Sequence, residues 1–396
     1  MSNGREVVVL SGVRTAIGDY GGALKDIAPS DLAGKVVGEA VKRAGIDAKQ
    51  VGAMVLGNVI HTEAKDMYIS RVACIKGGLP QETTALTVNR LCGSGLQAII
   101  SAAQAIQLGD ADAAVGAGAE SMSRSGYLMP ALRWGQRMSD SNVVDMMVGA
   151  LTDPFDTVHM GITAENIAAQ WKISREQQDE FAVESHRRAI NAIDKGYFKD
   201  QILPIELKTR KGVTMFERDE HPRADTTLEG MQKLRTVFKK DGSVTAGNAS
   251  GINDGAAAVV LMEKDAAAKA GLKPMARLVS YGFAGVDPKI MGIGPVPAVT
   301  NALRKAGLKV EDMDVIESNE AFAVQALAVS CDLKFDPKKT NPNGGAVGLG
   351  HPIGATGAVL TVKALYELQR TGGRYALVTM CIGGGQGIAA IFERMH

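Results

Sequence analysis

Cysteine is scarce in this chain: Cys74, Cys92, Cys331 and Cys381 are the only four among 396 residues. They lie far apart, without the paired spacing of a disulfide framework or a zinc site, and a chain of this length can bury a core without staples. Free thiols in a reducing compartment are therefore expected, with no metal centre. A surplus of one charge is also missing. Lys and Arg number 44 against 43 Asp and Glu, a formal charge of +1, which leaves no broad basic face for nucleic acid or an anionic membrane. The expected partner is a small molecule or another copy of the chain. Long apolar runs are absent as well: the longest, AAAVVLM from Ala256 to Met262, is far shorter than the roughly 20 residues of a membrane-spanning helix. The opening MSNGREVVVL reads as an early strand rather than a secretory signal or transit segment, and the closing FERMH is no peroxisomal address. These absences predict a protein of the cytoplasm.

What is present is an alternation of short β-branched runs with amphipathic helical patterns. EVVVLSG (Glu6 to Gly12), LAGKVVGEAVKRAG (Leu32 to Gly45) and AMVLGNV (Ala53 to Val59) carry the signature of an α/β layered fold. A long-range echo accompanies it. AVKRAGIDAKQVGAMV (Ala40 to Val55) reappears as ALRKAGLKVEDMDVIE (Ala302 to Glu317), with Ala44-Gly45 matching Ala306-Gly307, and CGSGLQAI from Cys92 is echoed more faintly by HPIGATGA from His351. Two echoes in the same order predict duplicated halves. The expected division is residues 1–121 as the first half, 122–250 as an insertion, 251–273 as the end of the first half and its connection, and 274–396 as the second half. The insertion is rich in methionine (Met122, Met129, Met138, Met146, Met147, Met160), which suits adaptable core filling and subunit packing. Within it, SREQQDEFAVESHRRAINAI predicts a helix with a Ser174/Gln177 capping box and a shared face of Phe181, Ser185, Ala189 and Ile193.

Chemistry-bearing residues collect at element ends. After the strand-like ALTV (Ala85 to Val88), the turn NRLCGSG leads into a helical pattern, so Cys92 falls at a helix N-terminus, where unpaired N–H groups favour a thiolate and a lowered pKa. ESNEAFAVQA presents Asn319 and Glu320 where the second echoed strand ends, the usual ligand side of an α/β sheet. NGGAVGLGHPIGATGA sets His351 among glycines before another helix, and YALVTMCIGGGQG puts Cys381 at the end of an apolar strand. Gly344, Gly345 and Gly348 are expected to serve turns, His186 and His221 to lie on the surface, and Cys74 and Cys331 to be structural.

The motifs NRLCGSGLQAI, NEAFA, GHPIGATGA and CIGGGQG, in this order and spacing, resemble those of the thiolase family of acetyl-CoA acetyltransferases and β-ketothiolases, and the likeness runs essentially from end to end. The resemblance is greatest to short-chain bacterial enzymes. It implies the thiolase fold, an α/β architecture of duplicated βαβαβαββ halves in five layers (αβαβα) with an inserted loop domain, usually assembled as a homotetramer. It implies that Cys92 is the nucleophile that carries the acyl group, that His351 is its base, and that Asn319 holds a water which binds a thioester oxygen together with His351. Cys381 would be the second base, acting at carbon, and the N–H groups of Cys92 and Gly383 the other oxyanion site. For coenzyme A it points to Leu151, His159, Met160, Arg223, Phe238, Ser250, Met291 and Phe322, an apolar slot with a few polar anchors in which Arg223 pairs with a phosphate.

The expected activity is the reversible condensation of acetyl-CoA with a short acyl-CoA to 3-ketoacyl-CoA and CoA, with acyl-CoA thioesters as substrates and no tightly bound cofactor. A degradative 3-ketoacyl-CoA thiolase of broader chain length is the alternative. Decarboxylating ketoacyl synthases and hydroxymethylglutaryl-CoA synthases share the fold but lack the second cysteine, so CIGGGQG argues against them. A silent acyl-CoA-binding scaffold would have no use for Cys92, His351 and Cys381 together.

Overall fold

The computed structural model describes residues 4–209 and 212–395. The first half runs β1 (Val7–Arg14), β2 (Gly18–Asp19), α1 (Pro29–Ala44), β3 (Val51–Gly57), α2 (Ile69–Lys76), β4 (Thr84–Val88), α3 (Ser94–Leu108) and β5 (Ala113–Ser121). An insertion follows with the hairpin β6 (Tyr127–Leu128) and β7 (Val144–Asp145), helices α4 (Met146–Ala150), α5 (Met160–Trp171) and α6 (Arg175–Asp194), the hairpin β8 (Ile205–Thr209) and β9 (Gly212–Phe216), and α7 (Leu228–Gln232). The chain then returns through β10 (Asn253–Glu263) and α8 (Lys264–Lys269). The second half is β11 (Ala276–Gly285), α9 (Pro295–Ala306), β12 (Val315–Ser318), α10 (Ala323–Leu333), α11 (Ala346–Leu349), α12 (Thr356–Thr371), β13 (Tyr375–Ile382) and β14 (Gln386–Arg394).

Strand order exposes the duplication. The first half is ordered β4-β3-β5-β10-β1, and the second β12-β13-β14-β11, with Thr340 bridging in parallel beyond β12 where β4 lies beyond β3. Parallel and antiparallel neighbours match throughout: β3 with β5 and β12 with β13 are parallel, whereas β5 with β10 and β13 with β14 are antiparallel. The two half-sheets meet edge to edge through only two residue pairs, Val8 with Arg277 and Val9 with Ala276. Helices α1 and α2 cover the outer side of one half, α9 with α10 against it the outer side of the other, and α3 and α12 lie between them, each touching strands of both halves. This is the five-layer αβαβα arrangement.

Local sequence explains these elements. The echoed Ala-Gly pairs are helix ends: Gly45 and Gly307 take φ of 69° and 67°, the left-handed cap that glycine adopts without strain, and α1 and α9 both open on proline at the first turn. The central helix α3 is largely apolar apart from a stripe of Gln97, Ser101 and Gln104, and the window Leu91–Leu108 reaches a mean hydropathy of 1.2, long enough by composition to cross a membrane. Its place in the middle layer accounts for that composition. Helices α3 and α12 cross with almost no separation. A Cβ on Gly95 would stand 2.7 Å from the Ala358 N, and one on Gly357 2.2 Å from the Leu96 N.

The insertion occupies the place where the second half has only the turn Gly383-Gly384-Gly385 between β13 and β14. It is fastened to β1 by Arg14, which is fully buried and reaches Asp219 twice (2.7 and 3.0 Å), Gln201 Oε1 (2.8 Å) and the ring of Phe198. Helix α6 carries the expected capping box between Ser174 and Gln177. Its buried stripe, however, is Gln178, Ala182, Ser185, Ala189 and Ala192 rather than one running through Phe181 and Ile193. His186 belongs to the buried side as well, at 5% exposure, and His221 is half-buried, so neither is the surface histidine the sequence suggested. Cys74 is buried, whereas Cys331 is exposed on α10. Gly344 does serve a turn (φ 80°), but Gly345 and Gly348 are required by close packing, since a Cβ there would meet Glu320 and the Ser185 carbonyl.

Candidate active site

Cys92 stands on a turn built for exposure of one side chain. Leu91 is held at φ 44°, an uncommon conformation for a bulky residue. The Asn89 Oδ1 accepts from the Leu91 N (3.0 Å), and the Ser94 hydroxyl donates to the Leu91 carbonyl (2.7 Å) while accepting from the Arg90 N (2.8 Å). Helix α3 starts two residues later, at Ser94. Gly93 lets this turn press on the end of β13: a Cβ there would lie 2.6 Å from Ile382 Cδ1.

Cys381 is buried on β13, and its pKa, already pushed up by burial, is raised further by charge on the nearby Cys92 sulfur. The thiol of Cys92 is pushed up as well, to about 11, again by burial. The expected lowering does not occur in this site. Although one side of Cys92 opens on the cavity, its remaining neighbours include Ile60, Met122 and Ile353, which solvate a thiolate poorly. The N–H groups of Gly383 and Cys92 pull in the opposite direction without prevailing.

His351 is 5% exposed and burial lowers its pKa to about 4, so it is neutral at pH 7. Its tautomer follows from its neighbours. The Thr356 hydroxyl donates to the Pro352 carbonyl (2.9 Å), so its oxygen, 2.7 Å from His351 Nδ1, accepts from that nitrogen. Nε2 is left with a lone pair and faces the Asn319 amide at 3.4 Å. Asn319 follows β12, with its N–H bonded to the Thr379 carbonyl and its carbonyl to Gln325, while its Oδ1 has no protein partner. The second side of the His351 turn is held by Asn253, whose Oδ1 accepts from the His351 N (2.8 Å).

A cavity of about 550 Å³ opens onto these groups. Cys92, His351 and Gly383 line it, and so do all eight residues singled out for coenzyme A: Leu151, His159, Met160, Arg223, Phe238, Ser250, Met291 and Phe322. Cys381 and Asn319 lie behind the lining. Its wall is an aromatic stack, with His159 on Phe238 at 4.5 Å and Phe238 edge-on to Phe322 at 6.3 Å. Arg223 is exposed at the mouth beside His221, which pairs with Asp19 at 2.6 Å and thereby lowers the pKa of that carboxyl. Among the described residues, no group of three His, Cys, Asp or Glu side chains is arranged to hold a metal ion.

Sequence reasoning missed Thr356, Asn253, the Asp19–His221 pair, and Glu120 with Asn58. Thr356 was inside a quoted motif, but its role depends on a hydrogen-bond direction. Glu120 had a visible signal, a lone acid closing the otherwise small and apolar strand AAVGAGAES.

Residues 7–265 match the thiolase N-terminal domain and 272–394 the thiolase C-terminal domain. The chain is 66% identical to the β-ketothiolase BktB of Cupriavidus necator, over 99% of this chain and the whole of that protein. It is similar in structure to the acetyl-CoA acetyltransferase of Bacillus anthracis (TM-score 0.96, 48% identity, 99% of each chain). It is also similar to human mitochondrial 3-ketoacyl-CoA thiolase in complex with CoA (TM-score 0.96, 46% identity, 99% of this chain and 98% of that one). With both domains matched in order and the two cysteines meeting between the halves, the chain belongs to the thiolase family of acyltransferases.

Proposed function

We propose that the enzyme is an acetyl-CoA C-acetyltransferase of β-ketothiolase type that works on short acyl chains, with Cys92 carrying the acyl group. The observation that carries this reading is the convergence of Cys92 and a neutral, oriented histidine on one apolar cavity, with the thiol of Cys381 behind its lining. Cys92 Sγ attacks the thioester carbonyl, its proton passes to His351 Nε2, and CoA leaves with that proton as its thiol. The thioester formed is close in energy to the one broken, so the acyl group is stored without a deep trap. A high Cys92 pKa beside a low His351 pKa means no resting ion pair, and the proton moves as the sulfur attacks.

In the second half-reaction Cys381 gives its proton to His351 Nε2 and, as thiolate, removes a proton from the methyl of acetyl-CoA; the carbanion attacks the acyl-Cys92 carbonyl, and the expelled Cys92 sulfur takes the proton from His351. Oxyanion stabilisation is assigned to His351 with a water held by Asn319 at one carbonyl, and to the Cys92 and Gly383 N–H groups at the other. The partnerless Oδ1 of Asn319 supports the water. CoA is assigned to the cavity, its pantetheine arm along Met160, Phe238 and Phe322 and a phosphate near Arg223.

The segment 122–250 is proposed to supply both this slot and the contacts of a homotetramer. Leu132, Trp134 and Met138 in it are 71%, 91% and 86% exposed, apolar surface that a second copy would cover. Light scattering should give four times the 41.6 kDa chain mass. The cytoplasmic location belongs to the same proposal, since one similar protein is mitochondrial by name, and fractionation tests it. Thiolysis of 3-ketoacyl-CoA substrates of increasing length tests the activity. Rates should fall beyond the shortest members. A flat or rising profile would favour the broader-chain degradative enzyme, and no thiolysis at all would defeat the assignment.

A further inference from the structure

The duplication gives the active region a counterpart, and what occupies it is a carboxyl group. The matching bulges of β1 and β11 align the halves residue by residue. Val9 pairs with Leu261 before the first bulge as Leu278 pairs with Phe392 before the second, and Leu261 pairs with Ala114 as Phe392 pairs with Ala376. Glu120 therefore corresponds to Ile382, the residue after Cys381, and Gly57, which ends β3, to Asn319, which follows β12. The crossing of α3 and α12 at Gly95 and Gly357 aligns their starts, Ser94 with Thr356, so that Gly354 corresponds to Cys92.

Cys92 and Ile382 on one side are thus matched by Gly354 and Glu120 on the other. In the matched place the Glu120 carboxyl makes four hydrogen bonds, all donated to it. Oε1 accepts from Asn58 Nδ2 (3.0 Å) and the Ile60 N (3.1 Å), and Oε2 from the Val59 N (3.1 Å) and the Gly354 N (2.8 Å). Two donors on each oxygen leave no place for a proton, which calls for the ionised form. Burial opposes this and pushes the group up to about 8, while the three N–H groups pull it back. Gly354 is needed here, since a Cβ on it would stand 2.5 Å from Oε2.

We propose that Glu120 is a positioning residue: its carboxylate accepts from the Gly354 N–H, the second half's counterpart of the Cys92 N–H, and thereby fixes the turn that carries His351. The connection is short. Gly354 lies between His351 and Thr356, and the Pro352 carbonyl, bonded by the Ala355 N, the Thr356 N and the Thr356 hydroxyl, closes the turn onto the group that orients the imidazole. Asn253 holds one side of this turn and Glu120 the other. The counterpart of the Cys92 N–H is occupied by an internal anion, so one chain contains one catalytic centre.

This inference rests on the thiolase reading above. The test is Glu120→Gln, which preserves shape but turns an NH₂ group toward two donors, with Glu120→Asp, which keeps an acceptor-only group, beside it. Acetoacetyl-CoA thiolysis is measured per Cys92 titrated by iodoacetamide, so that misfolded chains drop out of the rate. For Glu120→Gln, kcat per titrated site should fall about 10- to 100-fold, as a small misplacement of a catalytic group produces, with KM within about twofold of wild type. Glu120→Asp should lie above it. An unchanged kcat per titrated site in Glu120→Gln, or an aspartate variant no better than the glutamine one, overturns the proposal. A wild-type enzyme without thiolysis would instead defeat the functional assignment and is seen in the same assay.

Discussion

Replacing Cys381 with alanine should separate the two half-reactions of this enzyme. The thiol is buried, and its pKa is raised first by burial and then by charge on Cys92. Both sulfurs rest as thiols, since burial raises Cys92 as well. In Cys381→Ala, Cys92, the oriented His351 and the Gly383 N–H all remain, so acyl transfer to Cys92 should persist within a few-fold of wild type. Condensation should not. A positioned general base contributes about 10²–10⁴-fold, and Cys381 is the one assigned to the methyl.

The assay has two arms. Labelled acetyl-CoA followed by intact mass gives the rate of acetyl transfer to Cys92, and a coupled measurement of acetoacetyl-CoA gives synthesis. Synthesis lower by at least two orders of magnitude with acetylation retained is the expected result. Equal loss of both, or full synthesis, would refute the division of labour between the cysteines.

Two further predictions concern stability. Asp219→Ala strands the fully buried Arg14, and breaking a buried pair from one side costs about 3–5 kcal/mol; a lowered melting temperature with faster proteolytic cleavage near residues 199–222 checks it, and an unchanged melt refutes it. Burial holds His186 and His351 near pKa 4, against about 6.5 in the unfolded chain. The unfolded state then binds more protons between those values, so the contribution is complete above about pH 6.5 and is lost as pH falls toward 4, by about 3 kcal/mol for each histidine. Urea unfolding at pH 7.5 and pH 4.5 should show a smaller acid loss in His186→Gln than in wild type, and an equal loss would show that His186 is not a source of it.

Legibility in the sequence followed the range over which each property is decided. Gly45 and Gly307 could be paired across more than 250 residues because a helix end is written in a few neighbouring residues. The capping box at Ser174 and Gln177 is local in the same way. The buried stripe of α6 is not: which side faces inward depends on α10 and α11 arriving from the second half, and His186 was placed outside for want of that knowledge. The same distinction separates the residue types of the site from their electrostatics. Cys92 was found from its turn, and the turn implies a lowered pKa, yet Ile60, Met122 and Ile353, from three separate segments, surround the sulfur and reverse the sign.

Glu120 marks the furthest limit. The faint echo pairs Cys92 with His351, whereas the helix crossing aligns Cys92 with Gly354, three positions away from that pairing if the helices are superposed on Gly95 and Gly357. The register of β5 and β13 carries the same offset and pairs Glu120 with Ile382, next to Cys381. The two halves have kept their backbone plan and diverged where chemistry is done: Cys92 against Gly354, Cys381 against Ala119, and Asn319 against Gly57. A duplicated fold needs a reason to retain a charge in the silent half, and four converging donors that bear on the His351 turn supply one.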